Sequence, residues 1–519
     1  MSKFNLRGNR RSATSAVVST DRPTGTTHEG APGYARDTKG ELFLLAVTSF
    51  VAEDTFYEAA AERDARLRSL VARVAVEDGD WTLRLVRWLR TGVHLRSVAL
   101  VVAAEAVRAR LDAGIEGGNR AIVDAALDRA DEPGELLAYW AGRHGRRLPK
   151  PVKRGVADAV ARLYTERSLV KYDGPARDYR FGDVLDLTHP TPRDARQSAL
   201  FRHAIDRRHG RDGAIPDELG VLQARQRLLS VPVEQRRAVL AHGELVLGPA
   251  AMTWEQVAGW LQGPLDAAAW EAVIPSMGYM ALLRNLRNFD ATGVADDVAA
   301  GLAARLADTG EVARSRQLPL RFLAAYRTAP SLRWGWALER ALQASLGAVP
   351  SLPGRTLVLV DRSGSMFTRL SRRSVLNRAD AAAVFGAALA VRAAAADLVE
   401  FGTDSRAVRV RRGESVLSLA GRFGNLGGTN TADAVRRHFR GHDRVVIVTD
   451  EQAWAGWRGA EPTAAVPARV PVYTFNLAGH RHGHGPSGVG NRHTFAGLTD
   501  QGFAAIPLLE AGRDQHWPF

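Results

Sequence analysis

Cysteine is absent from all 519 residues. That excludes a disulfide framework, a cysteine–zinc site and thiol catalysis, and it fits a reducing compartment. Also missing is an apolar run long enough to span a bilayer. The nearest approaches are Val98 to Ala104, which is too short, and the alanine-rich Ala381 to Val399, which Arg392 and Asp397 break. Arg10-Arg11 would suit a twin-arginine signal, but only Ala16-Val17-Val18 follows before polar residues return, so no hydrophobic region stands behind it. These absences predict a soluble, cytoplasmic protein without a membrane partner. What the chain has in excess is positive charge, a formal net +14. Basic residues spread along a soluble chain point to a polyanion partner, nucleic acid ahead of an anionic membrane.

The length corresponds to roughly three domains, and a 45% hydrophobic composition can fill large cores. Residues 1–39 are rich in Ser, Thr, Gly, Arg and Pro and have no apolar periodicity. They are expected to be a basic tail, disordered or draped over the surface, and its Lys3, Arg7, Arg10 and Arg11 either touch nucleic acid or are simply solvated. Residues 40–348 read as helical almost throughout. Leu42, Leu45 and Ala46 share one face, as do Trp81, Leu85, Trp88 and Leu89. Breaks such as Gly117-Gly118-Asn119 and Glu132-Pro133-Gly134 are short, which predicts stacked helical hairpins, an α-solenoid of degenerate repeats. After the linker at Pro350 to Gly354, residues 353–519 alternate strand and helix. Strands are expected at Leu357 to Val360, Asp397 to Phe401, Ala407 to Val410, Val445 to Val448 and Val470 to Asn476. Helices are expected at Arg378 to Ala396 and Thr431 to Phe439. This is a doubly wound α/β pattern.

Within that second half, Leu357 to Val360 is a buried strand that stops at Asp361, with Ser363 and Ser365 following at i+2 and i+4. Ligands of open α/β sheets sit at such strand ends. One carboxylate with hydroxyls and water suits a hard divalent cation such as magnesium, although Ser and Asp also cap helices for local reasons. Two more signals share that face. Gly427-Gly428-Thr429 leads into a helix N-terminus, and Val445 to Thr449 is a second apolar strand ending in an acid, Asp450. Asp361, Ser363, Ser365, Thr429 and Asp450 thus form a candidate metal site. In that order they resemble the metal-ion-dependent adhesion site of a von Willebrand factor A domain. The loop departs from that pattern at Asn430, where an acid is expected. Phosphoryl-transfer chemistry at such a site is disfavoured, since no phosphate-binding Gly-x-x-x-x-Gly-Lys loop is present and Ser363 and Ser365 have no His or Lys beside them as base. The chain is therefore not expected to be an enzyme. His480, His482, His484 and His493 mark a Gly- and His-rich segment that is either a flexible loop or a zinc binder.

The helical half carries three basic clusters. Lys150, Lys153 and Arg154 crowd a helix start, where the macrodipole disfavours cations and where cations with free N–H groups suit a phosphate; the alternative is a tolerated surface cluster. Arg193, Arg196, Arg202, His203, Arg207, Arg208, His209 and Arg211 form a run suited to phosphate backbones and to stacking on unpaired bases. Tyr164, Tyr172, Tyr179 and Phe181 either add stacking or fill the core. Arg284, Arg287 and Asn288 make a polar stripe on an otherwise apolar helix, with Arg316 further on.

Helical solenoid, basic helices and an A-type domain follow one another as in the TROVE family of Ro autoantigen proteins. The resemblance runs from Gly33-Tyr34 through Val152-Lys153-Arg154-Gly155-Val156-Ala157-Asp158 and Asp186-Leu187-Thr188-His189-Pro190. It continues at Ala281-Leu282-Leu283-Arg284-Asn285-Leu286 and Ser315-Arg316-Gln317-Leu318-Pro319, and ends at Asp361 to Met366 and Thr449-Asp450-Glu451. It implies a ring of HEAT-like repeats closed by a von Willebrand factor A-like domain. It further implies outer-surface binding of small non-coding Y RNA, capture of single-stranded ends of misfolded RNA in the central hole, and work alongside a 3′ exoribonuclease in RNA turnover. By position, Lys150, Lys153, Arg154 and His189 resemble the outer RNA contacts, and Arg284 and Arg316 inner ones. The alternatives are a metal-dependent protein-adhesion module without RNA specificity and, behind it, a magnesium enzyme.

Overall fold

The computed structural model describes residues 13–48, 52–211, 213–347, 349–370, 374–411, 413–456 and 459–519. It divides into two compact units. One comprises Met1–Val74, Leu318–Ala324 and Leu342–Phe519; the other comprises Ala75–Gln317 and Ala325–Ala341.

The first unit holds strands β1 (Gly25–Thr26), β2 (Pro32–Ala35), β3 (Arg355–Asp361), β4 (Ala395–Phe401), β5 (Ser405–Ala407), β6 (Arg444–Thr449), β7 (Val472–Asn476), β8 (His482–Gly483) and β9 (Arg492–Ala496). Six of them form a sheet in the order β5-β4-β3-β6-β7-β9, parallel except for β5, which pairs antiparallel with β4. Leu357, Val358, Leu359 and Val360 are wholly buried because helices cover both faces of such a sheet, and this is why β3 reads as an unbroken apolar run. Helix Arg378–Arg392 starts at a reciprocal cap. The Asn377 side chain accepts from the Asp380 N–H at 2.8 Å, and the Asp380 carboxylate accepts from the Asn377 N–H at 3.0 Å. Its small residues let it lie close to β3. A Cβ on Gly386 would stand 2.3 Å from Val360 Cγ2, so only glycine fits that crossing.

Four expectations need correction here. The strand expected at Ala407 to Val410 is instead β5, which lies earlier and pairs only with Val399 to Phe401. Residues 13–39 are not a disordered tail; β1 and β2 form an antiparallel sheet with β8, and Ala13, Val17 and Ala31 are buried. Lys3, Arg7, Arg10 and Arg11 lie outside the described residues. The boundary near residue 40 also fails, since helix Thr38–Thr48 packs on β9 and everything up to Val74 belongs to the α/β unit. The segment from His480 to His493 is not a flexible loop either. It contains β8, and His480, His484 and His493 are buried. Among the described residues no group of His, Asp and Glu side chains is disposed to hold a metal there.

The second unit is built from helices that pack on near neighbours in sequence, as a repeat solenoid requires. Gly79–Thr91 packs on Arg96–Asp112, Asn119–Ala125 on Lys150–Leu163, and Phe181–Thr188 on Ala195–Arg208. Among the described residues no helix is long and apolar enough to cross a membrane.

Candidate functional site

The five residues expected to hold a cation are all buried, with Asp361 at 0% exposure and Ser363, Ser365, Thr429 and Asp450 at 1–4%. Asp361 caps the end of β3. Its Oδ1 accepts from the Ser363 N–H at 2.8 Å and its Oδ2 from the Thr449 hydroxyl at 2.5 Å. The Ser363 and Ser365 hydroxyls lie 3.2 Å apart. Asp450 Oδ1 accepts the Gln452 N–H at 3.0 Å. Burial and the neighbouring Asp450 carboxylate push the Asp361 pKa above the ordinary value. Neither carboxylate has an ion-pair partner among the described residues, although the Arg378 guanidinium feels Asp450 from nearby; its Nε–H goes to the Leu477 carbonyl at 3.0 Å. Two adjoining buried carboxylates without a direct ion pair among the described residues, beside hydroxyls, are a poor arrangement for the protein alone. The donor set is all oxygen, which fits a hard divalent cation.

The loops around this centre are held by groups the motif does not reveal. Arg362 reaches away from it, donating to the carbonyls of Gly424 and Ala379, both at 2.6 Å. Gly428 lies under Trp454, where a Cβ would stand 2.1 Å from the indole, and the Trp454 N–H donates to the Thr429 carbonyl at 2.8 Å. Asn430 is the N-cap of helix Thr431–His438, so its departure from the expected acid is accounted for by a local capping role. Sequence reasoning missed Thr449 as a hydrogen-bond donor to Asp361. It also missed two residues from the N-terminal region. Tyr57 interacts with the Ser365 hydroxyl and donates to Glu29 Oε1 at 2.7 Å, while Trp454 Nε1–H donates to Glu29 Oε2 at 2.8 Å. Nothing in the local sequence of Glu29 or Tyr57 marks them, because the contact is made only by folding.

In the helical unit, Lys150, Lys153 and Arg154 occupy the first turns of Lys150–Leu163, which has no acid in its first turn and no side-chain cap. Lys150 and Arg154 are exposed and Lys153 is half-buried. His189 is exposed at the C-cap of Phe181–Thr188, in the left-handed region at φ 48°, and Arg193 is exposed in the following turn. None of these five has an ion-pair partner among the described residues. Helices Lys150–Leu163 and Phe181–Thr188 pack together. Arg284, Arg287 and Asn288 are exposed while Leu282, Leu283, Leu286 and Phe289 are buried. Arg316, also exposed, caps Thr309–Ser315, which packs on the Arg284 helix.

Arg196 differs, and with it the basic run. Its Nε donates to Glu166 Oε1 at 3.0 Å, and the other Glu166 oxygen accepts the N–H groups of Val221 and Leu222. Arg207 pairs with Asp173, Arg208 with Asp183, His209 with Asp186 and Arg211 with Asp206. The run is thus largely an ion-pair lattice between helices, and Arg193 and Arg202 are its cations without such partners among the described residues.

Residues 216–349 match the model of the TROVE domain, which bears out the resemblance read from the sequence. The fold is that of the Deinococcus radiodurans RO (RSR) protein, whose crystal structure superposes with a TM-score of 0.60. That match covers 90% of this chain and 98% of that one, at 21% sequence identity. No curated protein matches the sequence.

Proposed function

We propose that this protein is the RNA-binding scaffold of a ribonucleoprotein, taking a small non-coding, Y-like RNA and single-stranded ends of misfolded RNA in quality control or turnover. The observation that carries this is a set of basic side chains without ion-pair partners among the described residues: Lys150, Lys153, Arg154 and Arg193, together with His189, on and beside adjoining helices, and Arg284 and Arg316 on another packed pair. The TROVE segment and the Ro-like fold support the same reading, and a 3′ exoribonuclease is the partner it implies. The test is a salt titration of affinity for a structured small RNA. With several phosphates neutralised, log K falls against log salt with a slope of about −4 or steeper; a flat response overturns the proposal.

The metal site supports a second role within the same protein. We infer that Asp361, Ser363, Ser365, Thr429 and Asp450 hold magnesium. A bound ion would supply positive charge and an open coordination position for a carboxylate or phosphate oxygen of a partner. Saturating magnesium then raises the melting temperature by a few degrees, as ~2.7 kcal/mol at a hundredfold excess over Kd implies. Asp361→Ala abolishes that shift. Identical melting curves in chelator and in magnesium would sink the inference. A metal-dependent protein-adhesion module is the competing reading, and the salt titration separates the two.

A further inference from the structure

The helical unit contains a cavity of about 130 Å³, separate from the basic clusters described above. Tyr164, Tyr172, Tyr179 and Phe181 line it together with three acids, Asp131, Glu135 and Asp178. Tyr164 and Phe181 are stacked, with ring centroids 3.7 Å apart at 11°. The Tyr164 side chain is 1% exposed, and its hydroxyl has no hydrogen-bond partner among the described residues. A buried hydroxyl without a partner is costly, so a ligand bringing an acceptor has something to gain there. The Arg129 guanidinium lies 5.2 Å over the Tyr172 ring, and Arg177, itself part of the lining, is exposed at the rim.

Size and chemistry narrow the occupant. A cavity of about 150 Å³ accommodates one benzene ring, so this one takes a single six-membered ring and not a purine. Aromatic walls favour a flat π-system. Glu135 already pairs with Arg96 and Arg177, whereas Asp178 has no ion-pair partner among the described residues; a carboxylate in a base-reading site accepts from the exocyclic amine of cytosine. Tyr164 can donate to a ring carbonyl. Arg129 and Arg177 suit the phosphate that would follow the sugar out of the mouth, even though both already serve Asp131 and Arg177 also serves Glu135.

We infer that this cavity takes one unstacked pyrimidine base of a single-stranded RNA, cytosine in preference to uracil. The proposal rests on the RNA-binding reading for its source of ligand, but its test does not. Cytidine and uridine are titrated into the full-length protein and binding is followed by saturation-transfer NMR. Cytidine binds in the millimolar range, and uridine about tenfold more weakly, through loss of the amine–carboxylate contact. Tyr164→Phe keeps the ring and weakens cytidine binding severalfold, on the order of one hydrogen bond. Ala138→Phe fills the cavity and removes binding, with an unchanged circular dichroism spectrum as the check on folding. Cytidine that fails to bind, binds no better than uridine, or binds the Tyr164→Phe protein as well as the wild type overturns the assignment. Salt-dependent binding of structured RNA would stand regardless, so the two failures are distinguishable.

Discussion

Lys153→Glu combined with Arg154→Glu is expected to weaken binding of structured RNA by about 10- to 100-fold near 150 mM salt, and to make the salt slope about two units shallower. The reasoning starts from the helix itself. Lys150–Leu163 opens without an acid in its first turn, so its cations sit against the positive end of the macrodipole, at a cost of ~0.3–1 kcal/mol each. A fold gains nothing from that placement unless an anion arrives, and among the described residues no carboxylate forms an ion pair with them, Asp158 one turn on being paired with Arg120. Glutamates at N-terminal helix positions are favourable, so the variant should fold at least as well as wild type. Lost affinity therefore reports on the surface and not on folding. The control is an equal charge change at arginines that already have acids: Arg108, 2.6 Å from Asp112, and Arg237, 2.7 Å from Asp266. Arg108→Glu with Arg237→Glu should change affinity only severalfold, through net charge alone. Equal losses in the two double variants would mean that RNA sees the global charge and no particular site.

The contrast between those two sets of basic residues shows where the sequence was legible. Asp361, Ser363 and Ser365 fall on one loop, and an acid at the end of an unbroken apolar strand announces itself. The period-3.6 helices and the buried strands β3, β6 and β7 were legible for the same reason, since their signals lie within a dozen residues. The run from Arg193 to Arg211 misled because its neutralising acids come from earlier helices: Glu166 is 30 residues from Arg196, and Asp183 is 25 from Arg208. The N-terminal segment misled more severely. Its Ser, Thr and Gly content has no internal period because its partners are not local: Thr27 donates to the Ala453 carbonyl, 426 residues away. Tyr164, Tyr172, Tyr179 and Phe181 were visible as aromatics, but their convergence on one cavity depends on how two helices and a loop pack.

The largest stability effect is expected at Arg36. Its guanidinium is 1% exposed, donates to Glu451 at 2.9 Å, and reaches the Gly485 carbonyl at 2.9 Å and Thr494 Oγ1 at 3.3 Å. Through these bonds one side chain joins β2 to the segment after β6, to the turn beyond β8 and to β9. Arg36→Ala leaves the Glu451 carboxylate, also 1% exposed, without its counter-charge and, among the described residues, with the Asn476 amide as its remaining side-chain donor. Breaking a buried pair in this way costs about 3–5 kcal/mol, read as a lowered urea midpoint of the α/β unit. Arg36→Met with Glu451→Gln removes both charges and keeps some of the packing and hydrogen bonding. That double variant should therefore be more stable than Arg36→Ala alone, with a coupling of a few kcal/mol in the corresponding mutant cycle. The segment from Gly25 to Ala35 should detach with the single variant, exposing Trp454, whose indole N–H is held by Glu29. A red shift of tryptophan emission ahead of global unfolding would register that release. If Arg36→Ala melts with the wild type, then this arginine does not hold the N-terminal segment in place, and Glu29 and Tyr57 reach the loop from Asp361 to Ser365 by other means.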